Sequence, residues 1–599
     1  MKKLLMGNEA IALGAIRAGV SFVSGYPGTP STEILETVAK HSSENDIYVE
    51  WSANEKSALE VAAGAAYAGA RVMVTMKQVG LNVASDPLMS LNYVGVKGGM
   101  VIVVADDPGP ISSQTEQDTR HFGKFAKLMV FDPSTPEEAY LMIADAFYYS
   151  EKYGRPVLVR PTTRVCHSYA SVELLDKLPV THRGGFTKDN GRWVIFPSTT
   201  YKNHGKIEAD LVTLETEFSE YKYNHVTDIN SQSAPRKGII TGGVSYMYVR
   251  EVMEDIIAPC RLMKVSTVPF PSQLALGFLN GLDEVLVIEE LDPVIERELI
   301  FLCGLHGIKI KVMGKLSGDI ANAGENTVAS VSAAIGEFLD VDNTKALAPE
   351  LPKLPVRPPV LCAGCPHRSS FFAVKEAAKG KKAVYSGDIG CYTLGNALPL
   401  DMVDTCLCMG AGITVAQGIN RIEPDTINFA FIGDSTFFHT GIPGIINAVY
   451  NKSDIIVVIL DNSNTAMTGN QPHPGIGRSV TGERAPVVSI YDIVSSIGVS
   501  ELIRADVFDF NAAKKAVESV LDKKGVRVLL FEGPCIAISK GTSKCTINSS
   551  KCTGCSVCAK KLGCPAISIN GKLAEIEPAL CTGCGLCKPV CPFGAIEDK

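Results

Sequence analysis

Eight of the last fifty residues are cysteines, set in two runs that each close on a proline: Cys552-x2-Cys555-x2-Cys558-x5-Cys564-Pro565 and Cys581-x2-Cys584-x2-Cys587-x3-Cys591-Pro592. The second run has the bacterial 4Fe–4S spacing, in which three close cysteines hold one cluster and the remote fourth crosses to the other. Crossing assigns Cys552, Cys555, Cys558 and Cys591 to one cluster, and Cys564, Cys581, Cys584 and Cys587 to its neighbour. The first run carries two more residues before its last cysteine than the second, which lengthens a loop. Cys-x2-Cys pairs also suit tetrahedral zinc. Three cysteines at two-residue gaps followed by Cys-Pro, repeated, fit cubane corners better. The chain's other cysteines are scattered without pattern, as in a reducing compartment where free thiols persist.

At 599 residues the chain exceeds one core; a prior of about one domain per 150 residues suggests roughly four. The net charge of −7, with no block of lysines or arginines, leaves no electrostatic footprint for nucleic acid or anionic membrane. The start, Met1 to Met6, faintly resembles a signal peptide, but Asn8 and Glu9 interrupt the apolar run, and a helix capped by Asn8 is expected. Apolar runs such as 455–460 have strand length and fall well short of a membrane span. The reading is a soluble cytoplasmic protein whose partners are small molecules or proteins.

Short β-branched runs alternate with alanine- and glycine-rich helical stretches, which is parallel α/β patterning. The expected organisation is an α/β domain at 1–180, a polar, aperiodic excursion at 181–235, and a second α/β unit at 236–345. A proline-rich linker follows at 346–359, then a third α/β unit at 360–540 and a small α+β cysteine module at 541–599.

In the third unit, the run 427–432 leads into Gly433-Asp434-Ser435, and the run 455–460 leads into Asp461-Asn462-Ser463-Asn464. Parallel strands joined by a crossover end on the same sheet edge, where ligands bind, so Asp434 and Asn462 come side by side. An aspartate, an asparagine amide and a carbonyl are hard oxygen ligands suited to Mg²⁺, which keeps other positions for phosphate and water. Gly-Asp and Asp-Asn are also ordinary turn signals; their pairing is what raises the functional reading.

Gly433-Asp434-Ser435 followed by Asp461-Asn462 resembles the thiamine diphosphate motif, with serine where a third glycine is usual. Asp461 to Gln471, Cys362-Ala-Gly-Cys365-Pro-His367-Arg368 and Gly387-Asp388-Ile-Gly-Cys391-Tyr-Thr-Leu-Gly395 look like the thiamine-binding subunit of the 2-oxoacid:ferredoxin oxidoreductases, and among them the indolepyruvate-type alpha subunits. Gly25-Tyr26-Pro27-Gly28-Thr29-Pro30-Ser31 is similar to that family's Tyr-Pro-Ile-Thr-Pro-Ser loop, whose threonine faces substrate and falls here on Thr29. The runs 79–82 and 107–118 look like the same family. The resemblance spans essentially the whole chain. It implies pyrimidine- and diphosphate-type thiamine domains, a transketolase C-terminal-like middle domain and a two-cluster ferredoxin module.

The resemblance implies a cofactor set of Gly28, Glu55, Cys365, His367, Gly387, Asp388, Cys391, Gly410, Gly433, Asp434, Ser435, Asn462 and Asn464, with Mg²⁺ on Asp434, Asn462 and Asn464. Glu55 stands nine residues before Gly64, as does the family glutamate that shares a proton with N1′ of the aminopyrimidine. Locally, Ser52-x-x-Glu55 also reads as a capping box. Glu60, a turn further on, is the weaker choice. The Cys362/Cys365 pair could be a redox disulfide or half a zinc site; it is taken as a loop of the diphosphate domain. His367 could equally be structural, and Cys391 simple packing.

The activity implied is oxidative decarboxylation of a 2-oxoacid, an arylpyruvate such as indolepyruvate or phenylpyruvate, to CO₂ and an acyl-coenzyme A. Electrons leave through two 4Fe–4S clusters to an external ferredoxin. A small beta subunit in an alpha2beta2-type hetero-oligomer is implied too, with thiamine domains pairing between protomers. Pyruvate or 2-oxoglutarate is the alternative substrate. A non-oxidative thiamine decarboxylase is argued against by the eight cluster cysteines, and a pure electron-transfer adaptor by Asp434, Asn462 and Glu55.

Overall fold

The computed structural model describes residues 1–179, 184–230, 234–341, 352, 354–539, 541 and 543–599. The chain divides into two compact units, Met1–Pro352 and Lys353–Lys599. Residues 346–351 and 353 of the proline-rich stretch, and 181–183 and 231–233 of the excursion, lie outside the described residues.

The first unit holds two large sheets and an antiparallel pair, Lys2–Met6 with Tyr169–Glu173. The larger runs in the order Thr267–Val268, Met129–Phe131, Val157–Val159, Met100–Ala105, Val72–Lys77, Phe22–Gly25, Tyr48–Trp51, and all but the first strand are parallel. Every residue of Met100–Ala105 is buried, because helices cover both faces of a parallel sheet and its central strands become continuous apolar runs. Helix Pro136–Tyr153 shows how the punctuation works. The Thr135 hydroxyl accepts from the Glu138 amide, Pro136 opens the first turn, and Gly154 ends the helix in the left-handed region.

The second sheet has five strands, ordered Lys311–Met313, Glu284–Ile288, Lys237–Gly242, Cys260–Val265, His225–Ile229, with only the last antiparallel. Buried ion pairs tie the two sheets within this unit. Arg120 reaches Asp118 at 2.6 Å and Glu289 at 2.7 Å. Arg160 reaches Asp106 at 2.6 Å, and burial pushes the Asp106 carboxyl up to about 6 against the pull of Arg160.

Three expectations need correction. The stretch read as an aperiodic linker contains the 23-residue helix Pro197–Ser219 and the strand His225–Ile229. The helix buries only Ile207, Leu214 and Phe218, a stripe too sparse to show as periodicity. Asn8 is not a cap: Lys2–Met6 is a strand, Met6 is the N-cap, and the Asn8 amide donates to Pro30 O at 2.7 Å. The Ser52 capping box does not form either. Asn54 caps helix Glu55–Tyr67 by accepting from the Ser57 amide, while the Ser52 hydroxyl turns to Glu50.

The second unit is built on one all-parallel sheet, ordered Ala383–Ser386, Ile427–Gly433, Ile455–Asp461, Val526–Glu532, Glu501–Asp506. Its two faces carry separate apolar clusters, one around Phe371, Phe429 and Phe431, the other around Ile432, Phe437 and Ile459. The cysteine module follows as two small antiparallel pairs, Cys545–Ile547 with Ile596–Asp598 and Ile567–Asn570 with Leu573–Ile576.

Candidate active site and cluster cavities

Register sets the diphosphate-side site. Strand Ile427–Gly433 pairs with Ile455–Asp461 so that Gly433 lies opposite Leu460, and the next residues of each strand meet at the carboxyl edge. Asp434 Oδ2 accepts from the amides of Asn462 at 3.1 Å and Asn464 at 3.3 Å, and Oδ1 accepts from the Ser435 amide at 2.8 Å. The Asn462 side-chain oxygen in turn accepts from the Asn464 amide at 3.2 Å. Gly433 is needed because a methyl group there would sit 2.4 Å from the Tyr392 ring. The crossover helix starts at Asp434, passes through a π-helical turn at Phe437–Gly441 and continues as Ile442–Tyr450.

Around this edge stand the other expected residues. Asp388 Oδ1 accepts from the Gly410 amide at 2.7 Å and Oδ2 from the Tyr392 hydroxyl at 3.0 Å, and burial pushes this carboxyl up to about 6. Gly387 precedes it, and a methyl group there would meet Val403. Cys391 opens the turn Cys391–Asn396, and Cys365 caps helix Pro366–Ala377. His367 lies in the first turn of that helix, edge-on to Tyr392 and 3% exposed, with neither ring nitrogen bonded to a described residue. Burial pushes its pKa down to about 4, with the Asp434 charge working against it.

Two observations test whether the residues fit a diphosphate held by a cation. A buried imidazole with both nitrogens unmatched is the donor or acceptor a polar ligand would complete. Asp461 and Asp434 also face one another: burial and the Asp434 carboxylate push Asp461 up to about 6, a repulsion that a divalent cation relieves. Sequence reasoning missed His473, whose Nε2 is 3.1 Å from Asp434 Oδ2. It sits in a loop 39 residues away, with no local pattern to mark it.

In the first unit, Glu55 is the opening residue of its helix and 6% exposed. Its carboxylate lies against Gly80, where a methyl group would fall 2.5 Å from Oε1. With capping done by Asn54, local structure no longer accounts for the glutamate. Glu60 is exposed and pairs with Lys56. Thr29 and Gly28 form the loop beside it: the Ser112 hydroxyl donates to Thr29 O at 3.3 Å, and the Lys77 stem lies against Gly28. Lys77, also missed, ends strand Val72–Lys77; partial burial lowers its pKa while Asp107 and Glu55 pull it up, so one half-buried cation faces both carboxylates.

The eight run cysteines gather as the crossing rule requires. Cys552, Cys555, Cys558 and Cys591 line one cavity, and Cys564, Cys581, Cys584 and Cys587 line another, which Cys365 and Arg368 also wall. Backbone amides point at the sulfurs, Ala595 to Cys591 at 3.3 Å and Cys545 to Cys581 at 3.4 Å. Among the described residues no three His, Cys, Asp or Glu side chains converge as ligands of a single ion. Four sulfurs spread around a cavity suit a cubane rather than one tetrahedral zinc. Cys545, outside both runs, lines the second cavity together with Cys365, so six thiols face it. A further sulfur set also escaped the spacing argument. Burial raises the Cys391 thiol to about 11, and Cys535 and Cys362 add to it; Cys362 likewise weighs on Cys365. The Cys535 amide donates to Asn462 O at 3.0 Å, which places this set beside the Asp434 edge. Cys362 and Cys365 are free thiols.

Three family models match the chain: "Thiamine pyrophosphate enzyme, C-terminal TPP binding domain" over residues 388–531, "Pyruvate flavodoxin/ferredoxin oxidoreductase, thiamine diP-bdg" over 13–230, and "4Fe-4S binding domain" over 574–597. Among its relatives, the indolepyruvate oxidoreductase subunit IorA of Methanothermobacter thermautotrophicus is 40% identical over 605 residues, covering 100% of this chain and 97% of its own. The proteins of the same description from Archaeoglobus fulgidus and Pyrococcus horikoshii are 40% and 38% identical, each covering 100% of this chain and 97% of their own. Identity of this order along the full length, together with a thiamine-type edge and gathered cluster cysteines, places the chain in the family of indolepyruvate oxidoreductase IorA subunits.

Proposed function

We propose that the chain oxidatively decarboxylates 2-oxoacids, with arylpyruvates such as indolepyruvate and phenylpyruvate preferred, to CO₂ and an acyl-coenzyme A, passing electrons through its 4Fe–4S clusters to an external ferredoxin. The observation that carries this reading is the presence, within one compact unit, of the Asp434–Asn462 edge and two cavities each lined by four run cysteines. Bound thiamine diphosphate supplies an electron sink for decarboxylation, and the clusters supply one-electron carriers.

The chain's own residues then divide the work. Asp434, Asn462 and Asn464 would hold Mg²⁺, whose charge would offset that of the diphosphate. Gly387, Asp388, Gly410, Gly433 and Ser435 shape the loops around it, and His367 offers its unmatched nitrogens to the cofactor. Glu55 shares a proton with N1′ of the aminopyrimidine, and Thr29 faces the substrate. Cys552, Cys555, Cys558 and Cys591 hold one cluster; Cys564, Cys581, Cys584 and Cys587 hold the second. Cys362, Cys365, Cys391 and Cys535 hold a third beside the thiamine edge, a reading supported by the mutual influence of their thiols.

Partners in this reading are a small beta subunit in an alpha2beta2-type hetero-oligomer, and the setting is the cytoplasm. Among the described residues no helix is long and apolar enough to cross a membrane. The test is anaerobic: co-purify the chain with its small subunit and follow methyl viologen reduction with Mg²⁺, thiamine diphosphate, coenzyme A and a panel of 2-oxoacids. Coenzyme A-dependent reduction led by indolepyruvate or phenylpyruvate is expected. A lead by pyruvate or 2-oxoglutarate overturns the substrate, and CO₂ release without viologen reduction overturns the oxidative reaction.

A further inference from the structure

The two oxygens of Asp434 are not equivalent. Among the described residues Oδ2 faces three N–H donors, the amides of Asn462 and Asn464 and Nε2 of His473, whereas Oδ1 faces one, the Ser435 amide. A carboxylate oxygen carries two lone pairs, so Oδ2 is saturated and Oδ1 keeps one direction open. Which way the carboxylate turns therefore decides which oxygen is available to a cation.

The His473 ring is built to hold that turn. Its Nδ1 accepts from the Gly475 amide at 3.2 Å, so the ring proton sits on Nε2 and points to Asp434 Oδ2, 3.1 Å away. The ring is 8% exposed and packs against Phe438 with centroids 5.7 Å apart, which limits its swing. The backbone amides of Asn462 and Asn464 approach Oδ2 from strand-end positions; His473 alone among these donors comes from the distant loop.

We propose that His473 is a positioning residue for the cation site: its Nε2–H holds Asp434 Oδ2 and so reserves Oδ1 for the divalent ion. The proposal rests on the Mg²⁺–thiamine diphosphate reading of this edge. Partners of this kind, one bond removed from a metal, change metal affinity by about 10- to 100-fold when removed.

The experiment uses the full chain co-purified with its small subunit and measures the Mg²⁺ concentration that half-saturates thiamine diphosphate binding, followed by calorimetry. In H473A this concentration rises about 10- to 100-fold, while kcat at saturating Mg²⁺ stays within a few-fold of wild type. In H473Q, whose amide keeps an N–H donor, it returns to within a few-fold. An H473A requirement equal to wild type overturns the proposal, as does an equal loss in H473A and H473Q, which would mark packing rather than donation. H473N carries the same comparison if H473A does not fold. Wild-type binding that needs no Mg²⁺ would instead sink the cation reading itself, before any variant is compared.

Discussion

At the carboxyl edge of the first unit's large sheet, strand Val72–Lys77 ends on a half-buried lysine that faces Glu55 and Asp107. At the carboxyl edge of the second unit's sheet, strand Ile427–Gly433 runs into an aspartate wrapped by three backbone amides and an imidazole. Both sheets are parallel α/β, and both use the edge where helices begin and strands end. The difference lies in what is done with a carboxylate. Glu55 sits at a helix start with its Oε1 against Gly80. Asp434 is immobilised, with burial working to raise its pKa and the His473 and Ser435 hydrogen bonds outweighing that to keep it low and ionised. In the proposed reaction the first edge serves proton exchange and the second holds a fixed negative charge.

That contrast can be broken most severely at Asp434. In D434A, Mg²⁺-dependent thiamine diphosphate binding is expected to vanish, as read by calorimetry, with the cluster absorbance unchanged. At the other edge, E55Q should lower kcat by about 100- to 10,000-fold while thiamine diphosphate affinity stays within a few-fold of wild type; E60Q should change neither. If E55Q instead abolished cofactor binding, the two edges would not differ in kind.

The cluster cavities supply a third, independent arm. C584A should lose about four iron atoms per chain and viologen reduction, yet retain thiamine diphosphate binding. Retained iron would mean that the cavity it lines holds no cluster.

A smaller effect concerns His367. Its folded pKa of about 4 lies below the ordinary imidazole value because burial disfavours the charged ring. The unfolded chain therefore takes up the proton first, so stability present above the ordinary value is lost as pH falls toward 4. The difference is on the order of 3 kcal/mol. Thermal melts between pH 6.5 and 4.5 should fall more steeply for wild type than for H367N, and parallel slopes would refute the buried neutral ring. Smallest is C545A: losing the thiol beside the second cavity should leave iron content intact and lower that cluster's midpoint potential in an EPR titration, with C545S closer to wild type, since hydrogen bonds to the sulfurs set potentials.

Much of this was legible in residues alone. The pairing of Asp434 with Asn462 followed from two strand ends in one crossover, and the division of eight cysteines followed from the crossing rule, because both are local in sequence or repeat at a fixed spacing. His473, Lys77, Cys545 and Cys535 were not legible. Each is a single residue in an unremarkable context, brought to its partners by a loop or strand far along the chain. Glu55 shows a different limit. Its capping-box reading was sound by pattern, and only the conformation of Asn54 removed it.

By itself, the sequence determined the parallel α/β class, the 4Fe–4S character of the C-terminal module and the sheet edge where Asp434 and Asn462 meet. Apolar periodicity, turn residues and cysteine spacing are all set by neighbours a few positions apart. Tertiary structure alone decided which oxygen of Asp434 is open, which lysine faces Glu55 and which thiols share a cavity. Those contacts depend on where loops return to the sheet edge, and the energy that places them comes from packing spread over the whole unit rather than from any local motif.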